Sequence, residues 1–223
     1  MFEKILVPLD SSSMAEQALP YVVELARSFH SAVDIVYVCE AHRVEGSSVC
    51  QAYLDDVAAK IISELSGQDE KIKTNLVMGS PGQKILDYAQ AEKIDLIIMS
   101  SHGHSGVTLW PMGGTAEKVL RKTGKPLIIV KVKEAQGPAP QVDLFKRILV
   151  PLDGSELGST VVPYVDAIAG KFESEVILFH VVETDKHLHT LGRIDSVPIR
   201  EEEMDSLRKR SNDYLNREKD KFS

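Results

Sequence analysis

The stretch FEKILVPLD at residues 2–10 returns as FKRILVPLD at residues 145–153. At a constant offset of 143, identities continue through Pro20/Pro163, Tyr21/Tyr164, Val22/Val165, Ala26/Ala169, Phe29/Phe172, Val33/Val176 and Val38/Val181, and the match ends near Glu40/Glu183. Seventeen identities in 39 ungapped positions, shared between turn and core residues, exceed what common composition supplies, so the chain contains a duplicated unit. Between the copies, KEAQGPAPQVDL at 133–144 is rich in Pro, Gly, Ala and Gln and reads as a linker. The organisation is a complete unit over 1–133, a linker over 134–144 and a partial second unit over 145–223, which lacks counterparts of everything after about residue 77.

Working outward from KILVPL, residues 3–9 read as a short buried strand. Ser11, Ser12 or Ser13 caps one helix whose apolar positions Ala18, Leu19, Val22, Val23, Leu25 and Ala26 recur at helical spacing. AVDIVYVC at 32–39 is a second strand, and residues 48–65 form a helix with Tyr53, Leu54, Val57, Ala58, Ile61, Ile62 and Leu65 on one stripe. IKTNLVMG is strand three, Ser80-Pro81 starts a helix to residue 91, IDLIIMS is strand four, TAEKVLRK is a helix and PLIIVKV is strand five. Strands alternating with helices of this length predict an α/β fold, an open parallel sheet with helices on both faces. In such sheets ligands bind outside the carboxyl ends of the strands, where strand order reverses. The loops after strands one and four are therefore where a site is expected.

Composition limits what that site does. With 223 residues, 43% apolar and 26% charged, the chain can bury a substantial core. The net charge of -7 argues against a nucleic-acid partner. The first residues lack the basic start and long apolar run of a signal peptide, and no stretch reaches the ~20 apolar residues of a membrane span. Cys39 and Cys50 form no C-x-x-C pair, and two reduced thiols in a cytoplasmic protein are expected.

The loop after strand four, SSHGHSGVTLWPMGGT at 100–115, carries Gly103, Gly106, Gly113 and Gly114. If Gly113 and Gly114 open the following helix, its free N–H groups and dipole favour an anion such as a phosphate, with Ser100, Ser105 and Thr115 as further donors. A long surface loop that needs glycine for its turns explains the same residues. A P-loop would require Lys-Ser or Lys-Thr after the glycines, and none follows. Gly103-His104-Ser105-Gly106 is one residue short of a hydrolase elbow. His102/His104 and His187/His189 alternate as metal ligands can, but without a further ligand at a recognisable spacing, and polar loop histidines account for them. The charged segment near the C-terminus, REEEMDSLRKRSNDYLNREKDK, reads as a helix with Met204, Leu207 and Leu215 as a thin stripe on an otherwise solvated surface.

The ILVPLD start, the duplication, IDLIIMSSHGHSG and GGTAEKVLRKTGKPLIIVK together resemble the universal stress protein family, over residues 2–133 and again from 145 to about 220. The resemblance implies a five-stranded sheet in the order 3-2-1-4-5. It also implies ATP, with Mg²⁺ on its phosphates, bound by a glycine, two residues, glycine, nine residues, glycine and Ser/Thr pattern. On this chain the pattern falls on Ser100, Gly103, Gly113 and Gly114, so Ser100 stands for the first glycine and Gly114 for the hydroxyl residue, with Thr115 next to it. The remaining positions carried over by resemblance are Pro8, Asp10 near the adenosine and Val38 at the adenine slot. Strand packing also accounts for Pro8 and Val38, and a turn or helix cap accounts for Asp10, since Asp153 repeats it in a copy with no phosphate loop. A homodimer through Leu127 to Val132 is implied as well. The half unit is expected to have its open edges completed, by residues beyond 223 or by another chain.

Overall fold

The computed structural model describes residues 1–39, 47–65, 71–104, 106, 112–132, 144–182, 185–190, 193–198 and 201–222. Most of the expected linker lies outside them. The chain divides into two compact units, Met1–Val142 and Asp143–Ser223.

The first unit runs β1 (Lys4–Leu9), α1 (Ser13–Glu16), α2 (Leu19–Phe29), β2 (Ala32–Cys39), α3 (Ser47–Leu65), β3 (Ile72–Met78), α4 (Pro81–Ala91), β4 (Leu96–Ser100), α5 (Gly114–Lys122) and β5 (Leu127–Val130). All neighbouring strands pair in parallel, in the order β3-β2-β1-β4-β5. β1 is central, and every residue from Ile5 to Leu9 is buried, as a strand covered on both faces requires. The single helix expected after strand one is two. Ser12 caps α1 by accepting from Ala15 N, and a new helix starts at Leu19 with Pro20 in its first turn. Proline has no N–H to give to an ongoing helix but fits a first turn, so the chain restarts there.

The second unit repeats this opening in three dimensions. It contains β6 (Arg147–Leu152), α6 (Glu156–Ser159), α7 (Val162–Phe172), β7 (Glu175–His180), β8 (Asp185–Thr190), β9 (Arg193–Pro198) and α8 (Glu201–Lys219). The repeated residues keep even their uncommon backbone conformations: Phe2 and Phe145 both have positive φ, as do His30 and Glu173 at the ends of α2 and α7. Phe2 meets Phe29 and Phe145 meets Phe172, each pair at 5.1 Å between ring centroids.

β6 and β7 form a two-stranded parallel sheet, and β8 pairs antiparallel with β9. The segment around His187 and His189, read above as a loop, is thus a strand of that ribbon. The C-terminal helix is present as expected, but it is not solvated all round. Tyr214, Leu215 and Phe222 pack on Val150, Leu152, Val162 and Val165. Tyr214 stacks edge-on at 5.6 Å against His180, as Tyr53 of α3 does at 6.3 Å against Tyr37 at the equivalent repeat position. α8 is therefore the counterpart of α3, displaced along the sequence by an insertion that includes the ribbon. Sequence comparison lost it because the offset changes there. Among the described residues, no helix is long and apolar enough to cross a membrane.

At the amino end of the first sheet, the fully buried Asp34 accepts from Lys4 Nζ and from the Tyr88 hydroxyl, each at 2.8 Å, and Asn75 donates to Tyr88. Burial acts to lower the Lys4 pKa, but Asp34 and Glu92 together outweigh it and hold it above the ordinary lysine value of 10.5. Because the folded pKa is the higher one, this contribution is complete below 10.5 and is lost as pH rises through the folded value. Lys4→Met leaves a buried carboxylate without its cation and is expected to cost about 3–5 kcal/mol in urea unfolding at pH 7. The extra loss of stability of the wild type above pH 10.5 should be absent from the variant.

Candidate functional site

Strand order reverses between β1 and β4, because the chain leaves β1 toward β2 on one side and later returns to pair β4 on the other. The loops after these two strands diverge and leave a crevice of about 720 Å³ at the carboxyl edge of the sheet, within the size range of small-molecule sites. Pro8, Asp10, Val38, Ser100, Gly103, Gly113, Gly114 and Thr115 all line it. The fold thus brings together residues from three strand ends and one helix start.

The helix start is the anion-directed part. Gly113 is the N-cap of α5 in extended conformation and supplies no side-chain cap, while its own N–H is held at 2.8 Å by the Ser101 carbonyl. The first-turn N–H groups therefore meet the crevice without a side chain bonded to them, and the positive end of the helix dipole lies there too. A Cβ on Gly113 would come within 3.3 Å of the Ser101 carbonyl oxygen, whereas one on Gly114 would meet nothing within 4 Å. Gly114 is not demanded by packing. Thr115, in the same turn, is exposed at the rim.

Several groups with a ligand role by resemblance are occupied by the protein itself. Asp10 Oδ1 accepts from the Ser12 N–H and hydroxyl, and Oδ2 accepts from His104 N at 2.6 Å. The first half of this arrangement recurs in the second unit, where Asp153 Oδ1 accepts from the Ser155 N–H and hydroxyl. The turn role is therefore common to both copies, and the bond to His104 belongs to the first alone. Asp10 ties the loop after β1 to the loop after β4. That closeness also sets Gly103, since a Cβ there would lie 2.0 Å from Asp10 Oδ2. The Ser100 hydroxyl donates to the His102 carbonyl at 2.6 Å, so this serine uses its donor within the loop. Pro8 is buried within β1, and Val38 both lines the crevice and packs on the core beneath it.

Ser101 escaped sequence reasoning. Its N–H bonds the Val130 carbonyl, its hydroxyl accepts from Val132 N at 3.1 Å and lies 3.1 Å from His102 Nδ1, and its carbonyl receives Gly113 N. One residue thereby joins the end of β4, the chain beyond β5 and the start of α5. Tyr37, also unforeseen, lines the crevice beside Ser11 and Cys50, and burial pushes its hydroxyl pKa up, with Ser11 opposing and Cys50 adding to the shift. Both cysteines line the crevice, and neither is in a disulfide. Ser105 and residues 107–111 of the loop lie outside the described residues. Among the described residues, no group of three or more His, Cys, Asp or Glu is placed to hold a metal ion.

Gly103→Ala forces Asp10 off the His104 N–H and is expected to destabilise by about 1–3 kcal/mol. In an Asp10→Ala background the same substitution should cost clearly less, a coupling that denaturant unfolding of the four chains measures.

Comparison with known proteins agrees with this architecture. A sequence model of the universal stress protein family matches residues 1–131 and 144–221. The chain is 26% identical over 141 residues to universal stress protein MJ0531 of Methanocaldococcus jannaschii, a match covering 59% of this chain and 83% of that protein. It is similar to MJ0577 of the same organism, whose solved structure aligns with a TM-score of 0.51 at 28% identity, covering 60% of this chain and 99% of that one. A universal stress protein from Pseudomonas aeruginosa UCBPP-PA14 shares the fold over all of this chain and 71% of its own, with a TM-score of 0.68 at 18% identity. With both units matched, the chain belongs to the universal stress protein family.

Proposed function

We propose that the first unit binds an adenine nucleotide, ATP with Mg²⁺, and that the protein is a cytoplasmic stress-response regulator rather than a fast catalyst. The observation that carries this reading is the α5 N-terminus opening, without a side-chain cap, into a crevice of nucleotide size. In this arrangement the N–H groups of Gly114 and Thr115 face the phosphates, Val38 borders the base and Mg²⁺ rides on phosphate oxygens. Bound ATP supplies a charged ligand whose unequal affinity for two conformations shifts the balance between them. The crevice lining contains no Lys or Arg among the described residues. Among the described lining residues there is thus no side-chain cation to stabilise charge on a leaving phosphate, which supports binding over turnover. A dimer contact along the edge strand β5 and the two residues after it, from Leu127 to Val132, belongs to the same proposal.

A nucleotide-free scaffold is the second reading, favoured by one specific observation: Asp10 and Ser100 spend their polar atoms inside the protein. Calorimetry with ATP and Mg²⁺ separates the two. At a hundredfold excess over the dissociation constant, ATP should stabilise the fold by about 2.7 kcal/mol and raise the melting temperature. An unchanged melting temperature at millimolar ATP defeats the nucleotide reading.

Gly114→Ser is a sharper test, because the space there is open. Restoring the family's hydroxyl should tighten ATP binding about tenfold, the worth of one hydrogen bond to a charged group. Titration calorimetry of both chains reads this directly.

A further inference from the structure

The carboxyl end of β2 and the first turns of α3 bring the two cysteines of the first unit to the same side of the sheet. Alternate residues of a strand share a face. Tyr37 meets Tyr53 of α3 edge-on at 6.3 Å between ring centroids, so Cys39, two positions further along β2, is directed to the α3 side as well. Val36 and Val38 take the other side, in the cluster with Ile85 of α4 and Val119 of α5. On α3, Cys50 precedes Tyr53 by three positions and the buried Leu54 by four, spacings that share one helix face. β2 and β3 pair in parallel, so α3, which links them, runs back against β2. Going from Tyr37 to Cys39 advances roughly 6.6 Å along the strand, and going from Tyr53 back to Cys50 moves about 4.5 Å in the same direction. The contact between the two tyrosines therefore sets Cys50 opposite Cys39. The Tyr37 hydroxyl lies against Cys50 with Cys39 in electrostatic reach, and both cysteines line the crevice.

We infer that Cys39 and Cys50 form a modification site, a dithiol that a hydroperoxide entering the crevice oxidises to a reversible disulfide. Among the described residues no third His, Cys, Asp or Glu joins them as a metal site would require, whereas two facing thiols suffice for redox chemistry. Cys50 is half-buried and Cys39 is 2% exposed, so the peroxide meets Cys50 first. The Cys50 thiolate attacks one peroxide oxygen and the O–O bond breaks. The other oxygen leaves with a proton as water or an alcohol, and Cys50 becomes a sulfenic acid. The Cys39 thiolate then attacks the Cys50 sulfur, the S–O bond breaks, the oxygen leaves with a proton as water and the S–S bond forms. The two thiols lose two electrons and two protons, and the peroxide gains both. A resolving thiol placed this close intercepts the sulfenic acid before further oxidation makes it irreversible. The bond ties the first turns of α3 to the end of β2 beside the crevice, and exchange with an external dithiol releases it.

Thiol labelling of the full chain tests this. The chain is treated with hydrogen peroxide, unfolded in urea with a maleimide and weighed by mass spectrometry. The reduced chain takes two labels, one on each cysteine. The oxidised chain is expected to take none and to be lighter than the unlabelled reduced chain by two hydrogen atoms, and dithiothreitol should restore both labels. In Cys39→Ser the second step is blocked, so the Cys50 sulfenic acid should accumulate and be captured by dimedone. Because the fold holds the thiols together, the disulfide should form faster in the folded chain than in urea by about tenfold or more. The oxidised chain should also melt at a higher temperature than the reduced one, since a cross-link that matches the fold constrains only the unfolded chain. The inference is overturned if the treated wild type keeps both labels, or if labels are lost without that change in mass or into a bond between two chains. It is equally overturned if Cys39→Ser gives no dimedone adduct, if unfolding does not slow the reaction, or if oxidation lowers the melting temperature.

Discussion

A parallel strand in the middle of a sheet has to be covered on two faces and paired along two edges, because its backbone polar groups and its near-continuous apolar side chains are otherwise left in water. β1 meets all four demands. β2 and β4 pair its edges, and Ile5 to Leu9 are buried throughout. The order β3-β2-β1-β4-β5 follows from extending that strand in one direction and then the other, and the crevice follows from the order. Loops that leave adjacent strands toward opposite sides cannot both cover the same edge of the sheet.

The crevice is kept open by ties made across its floor. Asp10 reaches from the loop after β1 to His104 N, and Ser101 gathers β4, the chain after β5 and α5. These bonds fix where α5 begins and so where its unbonded N–H groups emerge. The groups most committed to structure, Asp10 and Ser101, are thus the ones that position the anion-directed helix end. A carboxylate held by three donors serves the site by what it fastens.

Much of this was legible in the sequence because it is written in short-range signals. ILVPLD and IDLIIMS carry the continuous apolar runs of doubly covered strands, and Gly113-Gly114 ahead of AEKVLRK marks a helix start. The glycine spacing drew attention to Gly103, and the structure adds a demand that spacing does not carry. Its lack of a side chain answers to Asp10, 93 positions away in sequence, and that approach has no local signature. Ser101 was hidden likewise, since a serine beside another serine gives no sign that one will bind three elements. The turn from α1 to α2 was missed because apolar spacing runs smoothly through Pro20, and only the missing N–H breaks the helix. In the second unit, α8 was obscured by the very comparison that revealed the repeat. A constant offset follows a duplication only until the first insertion, and the Tyr-Leu pairs at 53–54 and 214–215 lie beyond it.

The duplication also separates what a strand's sequence determines from what its surroundings determine. β1 and β6 share ILVPL, yet Leu6 is buried and Leu149 is 59% exposed. The differing residues follow that change in environment. Asp34, wholly buried against Lys4 and Tyr88, has Ile177 as its counterpart, while Arg147 keeps the position of Lys4 and pairs instead with Glu175, the counterpart of Ala32. A buried carboxylate needs a cation and hydrogen bonds supplied by covering elements, and here the hydrogen bonds come from Tyr88 of α4 and its neighbour Asn75.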